Sequence, residues 1–600
     1  MHRVYYIDED WETWGMTQVK TYNRKKMLVL FCMFFAVAMF LVGRLGYIMI
    51  GQGAYYSQKA QDLHERERAI KAPRGRIYDR NGVVLAGNRP VCTISVIHSQ
   101  ITEPETVIRV LSEELGISEE EIRKRVETVS AREKIKSNID KEIADVIRSY
   151  HLDGVMVDED YKRYYPFDEM ASKVLGFTGA DNQGIVGLEV EYESVLRGTD
   201  GYILTVTDAN GIEVENTAES RLEPIAGNDL YTSLDANIQA YVQQEAERVL
   251  IAKEAIGVSI IVMNPKNGEI YAMVNAPEYN LNDPYTLNID TDIQDETQKQ
   301  NELNQMWRNF CINDTYEPGS IFKTVTATAA FEKGVLSVED TFVCPGYRIV
   351  GDRTIRCHKT TGHGQETFRQ GIMNSCNPVF MDVGLRVGVE SMYHTYEQLG
   401  LMSRTGIDLP GEATSIMHKQ EDVKDVDLAI MSFGQSFQIT PMQLITAVSA
   451  IVNGGNLITP HFAMYADDAQ GNRVETYEYS VKEAVISEET SVIMRDLMES
   501  VVAEGSGRNG QVEGYRIGGK TATSEKLPRG NGKYISSFIG VAPADDPRVI
   551  TLVLINEPTG IYYGGTIAAP VAQRIYENIL PYLGMEPMYE AEEPQKDVGE

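Results

Sequence analysis

The stretch "YEPGSIFKTVTATAAFEKG", residues 316–334, contains the pair of side chains best suited to nucleophilic chemistry. Pro318 and Gly319 precede a run with helical spacing, which predicts a helix that Ser320 opens and that carries Lys323 one turn later. The hydroxyl can then act as a nucleophile and the amine as its base, while N–H groups at the helix start can stabilise an oxyanion. Taken alone, the pattern is equally explained by an ordinary capped helix.

Two further motifs follow along the chain. "MNSCNPVF" supplies Ser375 and Asn377, and "KTAT" supplies Lys520, Thr521 and Thr523 ahead of two strand-like segments. A single Ser-x-Asn is more often a polar helix cap than a site. The order Ser-x-x-Lys, Ser-x-Asn, Lys-Thr-x-Thr is nevertheless typical of serine enzymes that react with penicillins.

The stretch "GYRIGGKTATSEK", residues 514–526, also fits a second motif, the Gly-x-x-x-x-Gly-Lys-Thr loop that binds phosphates in nucleotide hydrolases. That loop requires an apolar strand before it and a helix after it. Here "AEGSGRNGQVE" precedes the stretch and "ATSEKLPRGNG" follows Thr521, and neither fits. We therefore expect an edge strand beside a cleft, with Ala522 where glycine is usual, and no bound nucleotide.

Lys323 can act as a base only if its pKa is lowered. A lysine with the usual pKa of about 10.4 is neutral in about one molecule in 2,500 at pH 7. Lowering the pKa by about three units requires about 4 kcal/mol, which burial beside a second cation can supply. Lys520 is the expected second cation.

A sheet is predicted to position these motifs. "GVSIIVMNPKNGEIYAMVN", residues 257–275, indicates two strands around a Lys-Asn-Gly turn, and "ISSFIGVAPA" and "RVITLVLIN" indicate two more. Together they favour a central antiparallel sheet. Residues 102–150 are rich in Glu, Lys and Arg with helical spacing, which predicts a solvated helical insertion.

The N-terminal region is apolar. Residues 27–43 include no charge, and an apolar pattern continues to Ile50, so a helix over these 24 residues would span about 36 Å, enough for a hydrocarbon core of about 30 Å. A cleaved signal peptide is the competing interpretation, but the long acidic leader disfavours it. Four basic residues on the leading side place the N-terminus in the cytoplasm and the bulk of the chain outside: Lys20, Arg24, Lys25 and Lys26.

Composition limits the classes of partner. The chain has 600 residues, 43% of them hydrophobic, and a net charge of −31, which is typical of a large multidomain protein and disfavours nucleic acid as a partner. Nine histidines form no His-Glu-x-x-His or comparable pattern, so no metal and no other cofactor is expected. His363 is expected to be structural. Of six cysteines, Cys344 and Cys357 could bridge a small hairpin or remain two free thiols.

A series of longer stretches resembles the class B penicillin-binding proteins, which are monofunctional peptidoglycan D,D-transpeptidases. The stretches follow that family's order over nearly the whole chain: "RGRIYDRNGVVLA", "GIVGLEVEYESVLRG", "MNPKNGEIYAMVNAPEYNLNDP", "EPGSIFK", "TGHG", "NSCNPVF", "TGIDLPGEA", "SFGQSFQITPMQL" and "NGGNLITP". "TGIDLPGEA" and "GHG" resemble the division and sporulation branch more than the elongation branch.

The resemblance implies an α+β multidomain fold. It consists of a cytoplasmic leader (1–26), a transmembrane helix (27–50), an elongated mixed α/β pedestal of dimerisation type (51–225), a transpeptidase domain with a central antiparallel sheet flanked by helices (226–583) and an acidic disordered tail (584–600).

The resemblance also implies roles for the motif residues. Ser320 would attack the carbonyl between two terminal D-alanines, with Lys323 as base. Ser375 would relay a proton toward the leaving group, and Asn377 would hold Lys323 and the substrate amide. Lys520 would add positive potential. Thr521 and Thr523 would bind the substrate: Thr521 would bind its terminal carboxylate. The backbone N–H groups of Thr523 and Ser320 would form the oxyanion hole.

The expected function is therefore cross-linking of peptidoglycan stem peptides in septal or sporulation cell-wall synthesis, with carboxypeptidase side activity and acylation by β-lactams. A membrane glycosyltransferase is implied as partner, because this family has no polymerase of its own. The alternative from another class is a non-catalytic or weakly catalytic scaffold that organises a cell-wall synthesis complex. This alternative arises because Ala522 stands where the family's motif has glycine, which is the one difference in the core motifs.

Overall fold

The structure, a computed structural model, describes residues 19–53, 55, 65–130, 132–206, 220–289, 293 and 295–588. Most of the predicted leader and most of the predicted acidic tail lie outside these described residues.

A long apolar helix, α1 (Val19–Gly46), begins the described chain and continues as a π-helical turn, Tyr47–Gly51. The 28 residues Arg24–Gly51 form, among the described residues, the one helix long and apolar enough to cross a membrane. At 1.5 Å per residue their length is about 42 Å, which exceeds a hydrocarbon core of about 30 Å. The helix is compatible with a single-pass membrane anchor.

The N-terminal domain consists mainly of strands with short helices between them. Its strands are β1 (Glu65–Ile70), β2 (Ile77–Tyr78), β3 (Val84–Val96), β4 (Glu133–Asp140), β5 (Val155–Tyr164), β6 (Gly201–Val206) and β7 (Ser220–Leu222). Its helices are α2 (Pro104–Leu115), α3 (Glu119–Val126), α4 (Lys141–Ser149), α5 (Ser172–Leu175), α6 (Gly187–Glu191) and α7 (Glu193–Leu196).

The predicted helical insertion over residues 102–150 is wrong in part. The segment includes the predicted helices, α2 to α4, but also strand β4, which pairs antiparallel with β3. Its helices are amphipathic, and their apolar sides form a separate buried cluster with the sheet that includes Ile94, Leu111 and Ile122. The many charged residues lie on the solvent side of these helices, so composition alone does not reveal the buried core.

A buried ion network joins two stretches of the N-terminal domain that are far apart in sequence. Glu189 accepts hydrogen bonds from Arg74 Nε and Arg163 Nε, each at 2.6 Å, and all three side chains are buried. Arg74 Nη1 also lies 2.7 Å from Glu193. The stretches "RGRIYDRNG" and "GIVGLEVEYE" are thus held together by paired buried charges, which are costly to break.

The C-terminal domain contains the remaining elements. Its strands are β8 (Asp229–Thr232), β9 (Gly257–Met263), β10 (Ile270–Ala276), β11 (Thr341–Cys344), β12 (Tyr347–Val350), β13 (Arg353–Arg356), β14 (Gly364–Thr367), β15 (Leu457–Ile458), β16 (Ala463–Asp467), β17 (Arg473–Thr476), β18 (Val481–Lys482), β19 (Gly518–Glu525), β20 (Tyr534–Ala542) and β21 (Val549–Asn556). Its helices are α8 (Ala236–Lys253), α9 (Glu296–Met306), α10 (Phe310–Asn313), α11 (Lys323–Glu332), α12 (Phe368–Met373), α13 (Asn377–Gln398), α14 (Asp425–Met431), α15 (Pro441–Val452), α16 (Glu488–Ala503), α17 (Gly564–Ile567) and α18 (Ala569–Tyr582).

The two domains share a sheet. Its strand order is β17-β16-β8-β2-β3-β4, with β5 also paired to β3, so strands from both domains are hydrogen-bonded in one layer. Asp408 adds a polar contact between the domains: it accepts hydrogen bonds from Tyr192 Oη at 2.8 Å and from the backbone N–H of Ala463 at 2.8 Å. The carboxylate in "TGIDLPGEA" therefore has a structural role.

The central sheet has five antiparallel strands in the order β10-β9-β21-β20-β19. Alternate residues of β9 face opposite layers: Ile261 and Met263 pack in the larger buried cluster, and Ile260 and Val262 pack in the smaller one. Helices cover both faces. The predicted central antiparallel sheet flanked by helices is confirmed, and β19, which carries the Lys-Thr motif, lies at its edge.

Candidate active site

Ser320 lies in a 3₁₀ turn, Gly319–Phe322, that leads directly into α11. Gly319 has a φ of +57°, and a Cβ at this position would collide with Ser524 Oγ of β19. Glycine therefore allows the edge strand to approach the turn that carries Ser320. The predicted helix start is present, with a tighter first turn than the sequence suggests, and Lys323 follows Ser320 by three residues.

Lys323 connects this turn to the Ser-x-Asn motif. Its side chain is fully buried in α11, and its Nζ donates hydrogen bonds to the backbone carbonyl of Ser375 at 2.6 Å and to Asn377 Oδ1 at 2.8 Å. Nζ also lies 3.2 Å from Ser375 Oγ. Three acceptors thus fix the amine inside the protein.

The backbone of Ser375 is in the left-handed region, with a φ of +53°. This conformation is unfavourable for a non-glycine residue and is found mostly where the surrounding structure enforces it. Here it brings both the carbonyl and the hydroxyl of one residue to Lys323 Nζ. Asn377 begins α13 two residues later, so the helix start presents its side chain to the same amine.

Lys520 reaches the same centre from the edge strand. It is fully buried in β19, and its Nζ donates to Ser375 Oγ at 2.9 Å and to the carbonyl of Thr521 at 3.0 Å. Segments that are distant in sequence therefore meet at one hydroxyl, that of Ser375.

Both lysines have lowered pKa values. Burial lowers the pKa of Lys323 from an ordinary value of 10.5 to about 8. Burial, and secondly the charge of Lys323, lower the pKa of Lys520 well below its ordinary value. Burial beside a second lysine was the expected arrangement for a basic Lys323, but here burial lowers its pKa and the repulsion acts on Lys520. Two lysines this close titrate as a coupled pair and not independently.

The two threonines of the motif differ in their contacts. Thr521 Oγ1 donates to Ser506 Oγ at 3.1 Å, whereas Thr523 Oγ1 accepts from the backbone N–H of Gly564 at 3.0 Å. The side chain of Thr523 is therefore held by the first residue of α17. Ser506 was not found from the sequence, because it lies in a glycine-rich loop without a pattern of its own.

The methyl group of Ala522 is buried, with 3% of the residue exposed. It lies against the turn before Ser320: a Cβ built on Gly319 would be 3.4 Å from it. The extra methyl therefore fills buried space next to the turn that carries Ser320.

The structure supports the rejection of a phosphate loop. Lys520 and Thr521 lie inside strand β19, Gly518–Glu525, whereas a phosphate loop would place them at the start of a helix. Within the described residues 514–533, the segment after the strand contains no helix.

The bridge between Cys344 and Cys357 is absent. All six cysteines lie among the described residues and are free thiols, and these two are buried. The alternative of two free thiols therefore describes the structure.

Comparison with known proteins assigns the chain to a family. Residues 258–577 match the penicillin binding protein transpeptidase domain, and residues 69–232 match the penicillin-binding protein dimerisation domain. The chain belongs to the penicillin-binding protein transpeptidase family. The predicted membership of class B, with a dimerisation domain before the transpeptidase domain, is confirmed.

Relatives of this penicillin-binding protein include enzymes named for cell-wall cross-linking. The chain is 39% identical to stage V sporulation protein D of Bacillus subtilis over 575 residues, which cover 94% of this chain and 86% of the relative. It is 29% identical to the probable peptidoglycan D,D-transpeptidase PenA of Neisseria meningitidis, with 91% of each chain covered. It is 28% identical to the peptidoglycan D,D-transpeptidase FtsI of Escherichia coli, with 93% of this chain and 91% of the relative covered.

Solved structures show the same fold. Penicillin binding protein 2X of Streptococcus thermophilus superposes with a TM-score of 0.72 at 24% identity, over 86% of this chain and 80% of that one. Penicillin binding protein 3 of Mycobacterium tuberculosis, solved with aztreonam, gives a TM-score of 0.66 at 24% identity, over 87% and 98%. The two-domain architecture of this penicillin-binding protein is thus that of its family.

Proposed function

We propose that this chain is a peptidoglycan D,D-transpeptidase that cross-links stem peptides through a covalent acyl-enzyme on Ser320. One observation carries the proposal: Lys323, one helical turn after Ser320, is buried, has a lowered pKa and is held by Ser375 and Asn377. A buried amine that is partly neutral near pH 7 is what a serine nucleophile needs as a base. The names of the relatives, PenA and FtsI, support this reaction.

In the acylation step, Ser320 Oγ attacks the carbonyl carbon between the two terminal D-alanines, and its proton passes to Lys323 Nζ. Ser320 Oγ makes no hydrogen bond to another described residue, so it remains available to the substrate. Catalytic hydrogen bonds of this kind often tighten only when the substrate is bound. The carbonyl oxygen becomes negative and is stabilised by the backbone N–H groups of Ser320 and Thr523.

The tetrahedral intermediate then collapses. The peptide C–N bond breaks, and the nitrogen of the departing D-alanine takes a proton through Ser375 Oγ, which lies between the two lysines. Thr521 binds the carboxylate of that D-alanine, and Lys520 adds positive potential when it is protonated. An amine from a neighbouring stem peptide attacks the acyl-enzyme, frees Ser320 and forms the cross-link. Water in place of the amine gives carboxypeptidase side activity.

The apolar N-terminal helix and the relatives support a proposed cellular setting. The positive charges at the start of α1 support a cytoplasmic N-terminus, with both folded domains outside the membrane. The 39% identity with stage V sporulation protein D supports a role in sporulation or septal wall synthesis. A membrane glycosyltransferase would supply the glycan strands, and β-lactams would acylate Ser320.

A cross-linking assay tests the proposal. Glycan strands with pentapeptide stems, made by a separate glycosyltransferase, are incubated with the full chain in detergent. We expect cross-linked dimers and released D-alanine from the wild type and neither from Ser320→Ala. A scaffold without activity would give equal results for both proteins and would contradict the proposal.

A further inference from the structure

Four side chains that could hold a metal ion, from three segments of the chain, meet beside the candidate active site. The ligand atoms of Cys344, Cys357, His363 and Cys376 all lie within 4.8 Å of one another. The three cysteines are buried free thiols. We call these four residues the Cys₃His cluster. The sequence predicts no metal, because the four positions follow no recognised spacing.

The spacing of the atoms suits a tetrahedral metal. A zinc ion with Zn–S distances of about 2.3 Å and Zn–N distances of about 2.0 Å holds its ligand atoms about 3.5 to 3.8 Å apart. The distance from Cys357 Sγ to His363 Nδ1 is already 3.8 Å. Movements of about 1 Å or less would bring the whole set to this geometry.

The backbones of the loops that carry the cluster approach each other closely. A Cβ at Gly346 would collide with the carbonyl of Thr360, and one at Gly362 would collide with the carbonyl of Cys344. Both glycines have positive φ, of +98° and +85°. The backbone N–H of Cys357 donates to the carbonyl of Gly346 at 2.9 Å, which fixes the approach of the two segments. Glycine is therefore needed to bring the cysteines together.

A buried carboxylate beside the cluster lacks a partner on one oxygen. Glu366 is 3% exposed, and its Oε2 accepts a hydrogen bond from Asn374 at 3.1 Å. Its Oε1 makes no hydrogen bond to any described residue and lies 3.9 Å from His363 Nδ1. This is the same ring nitrogen that faces Cys357, so Glu366 places a buried carboxylate beside the cluster and not on the far nitrogen of the imidazole.

We propose that the Cys₃His cluster binds one Zn²⁺ ion and that this ion positions Ser375 and Asn377. A disulfide explains the cluster less well, because it would use two of the three thiols and leave a thiol and an imidazole. A single zinc ion uses all four groups, and thiolate and imidazole are the ligands it prefers.

The link to the active site is direct. Cys376 lies between Ser375 and Asn377, the two residues that hold Lys323. Asn377 Nδ2 also donates to the carbonyl of Arg356, 3.3 Å away, and Arg356 precedes Cys357. A metal that joins Cys357 to Cys376 would therefore fix the start of α13 against strand β13. Binding of zinc is independent of the proposed transpeptidase reaction, whereas the positioning role rests on it.

Metal content of the full chain, purified in detergent with its thiols reduced, tests the site. We expect about one zinc per chain in the wild type, and less than about a tenth of that in Cys344→Ser and in His363→Ala. Two matched controls should retain the metal: Cys92→Ser, a buried cysteine of the N-terminal domain, and His358→Ala, an imidazole that lies next to the cluster. Equal zinc in all five proteins would overturn the assignment, and so would loss in the controls alone.

A second measurement does not depend on variants that fold poorly. Wild-type protein freed of zinc is titrated with Co²⁺, whose visible absorption distinguishes tetrahedral thiolate coordination. A thiolate-to-cobalt charge-transfer band that saturates at one Co²⁺ per chain is expected. A chain with all thiols reduced that shows no such band, or mass spectra with a Cys357–Cys376 disulfide in place of metal, would overturn the site.

The rate of penicillin acylation distinguishes a failure of the zinc inference from a failure of the proposed function. Removal of zinc should slow acylation at least tenfold, and its return should restore the rate, whereas Ser320→Ala should bind zinc and not be acylated. Zinc binding without acylation of the wild type would sink the transpeptidase proposal and leave the site intact. Full acylation of the zinc-free protein would overturn the positioning role of the metal and leave the transpeptidase proposal intact.

Discussion

Lys323 and Lys520 donate to the same oxygen: their Nζ atoms lie 3.2 Å and 2.9 Å from Ser375 Oγ. Two buried ammonium groups that contact the same oxygen repel each other. The pair therefore favours a state in which at least one of the two amines is neutral. The serine hydroxyl between them can accept from one amine and donate to the other. Burial lowers the pKa of Lys323, the proposed base, and the shared hydroxyl offers a route by which its proton could leave.

Substitution of Lys323 by arginine should abolish acylation although the positive charge is kept. Guanidinium stays protonated at neutral pH and cannot accept the serine proton. We expect the rate of β-lactam acylation to fall by about a hundredfold or more. The matched control is Lys333→Arg, a lysine that follows the C-terminal end of the same helix, α11, and whose rate should be unchanged. Wild-type acylation by Lys323→Arg would show that another group is the base.

The acylation rate should rise with pH through about 8. The pKa of Lys323 is lowered to about 8, and the amine accepts a proton only in its neutral form, so protonation below this pKa removes the base. The neutral fraction rises from about one in eleven at pH 7 to about one half at pH 8, which predicts an increase of about fivefold. Stopped-flow measurement with a chromogenic β-lactam checks this. A rate that is flat or falls over this interval would contradict the assignment.

Ala522→Gly should leave acylation nearly unchanged. Ala522 is 3% exposed and its methyl group lies near Gly319, so it forms almost none of the exposed surface that a β-lactam can reach. The acylation rate is expected to stay within about twofold, while the free energy of unfolding falls by about 1 to 2 kcal/mol through lost packing and a more flexible strand. Thermal unfolding and acylation kinetics of the same preparation check both. A clearly faster variant would mean that the methyl obstructs the site.

Glu189→Ala should strongly destabilise the N-terminal domain. The substitution leaves the buried guanidinium groups of Arg74 and Arg163 without their shared carboxylate. A loss of about 3 to 5 kcal/mol is expected. The control is Glu191→Ala, an exposed glutamate two residues away, which should cost less than about 0.5 kcal/mol. Urea unfolding of the two variants compares them, and equal stabilities would argue against the buried network.

Much of the candidate site could be predicted from the sequence, because the proposed catalytic groups lie in short local motifs. Spacing alone placed Ser320 and Lys323 on one face, and motif order added Ser375, Asn377 and Lys520. The contacts of Thr521 with Ser506 and the left-handed backbone of Ser375 could not be predicted, because they depend on how distant segments pack.

In the fold, too, local signals were predictable from the sequence and contacts between distant segments were not. The central sheet was recognisable from apolar strands and a Lys-Asn-Gly turn, which are local signals. Strand β4 was missed because charged residues on its exposed side resemble those of the helices around it. The Cys₃His cluster was missed because its residues come from three segments, and no spacing rule describes ligands that only tertiary structure brings together.

The covalent adduct with penicillin tests the central claim most directly. The full chain is incubated with a fluorescent penicillin, digested and mapped by mass spectrometry, beside Ser320→Ala and the nearby Ser337→Ala. We predict one adduct per chain, on the peptide that contains Ser320, with no adduct in Ser320→Ala and full labelling of Ser337→Ala. A wild type without an adduct, or labelling that persists in Ser320→Ala, would contradict a serine acyl-enzyme at this site.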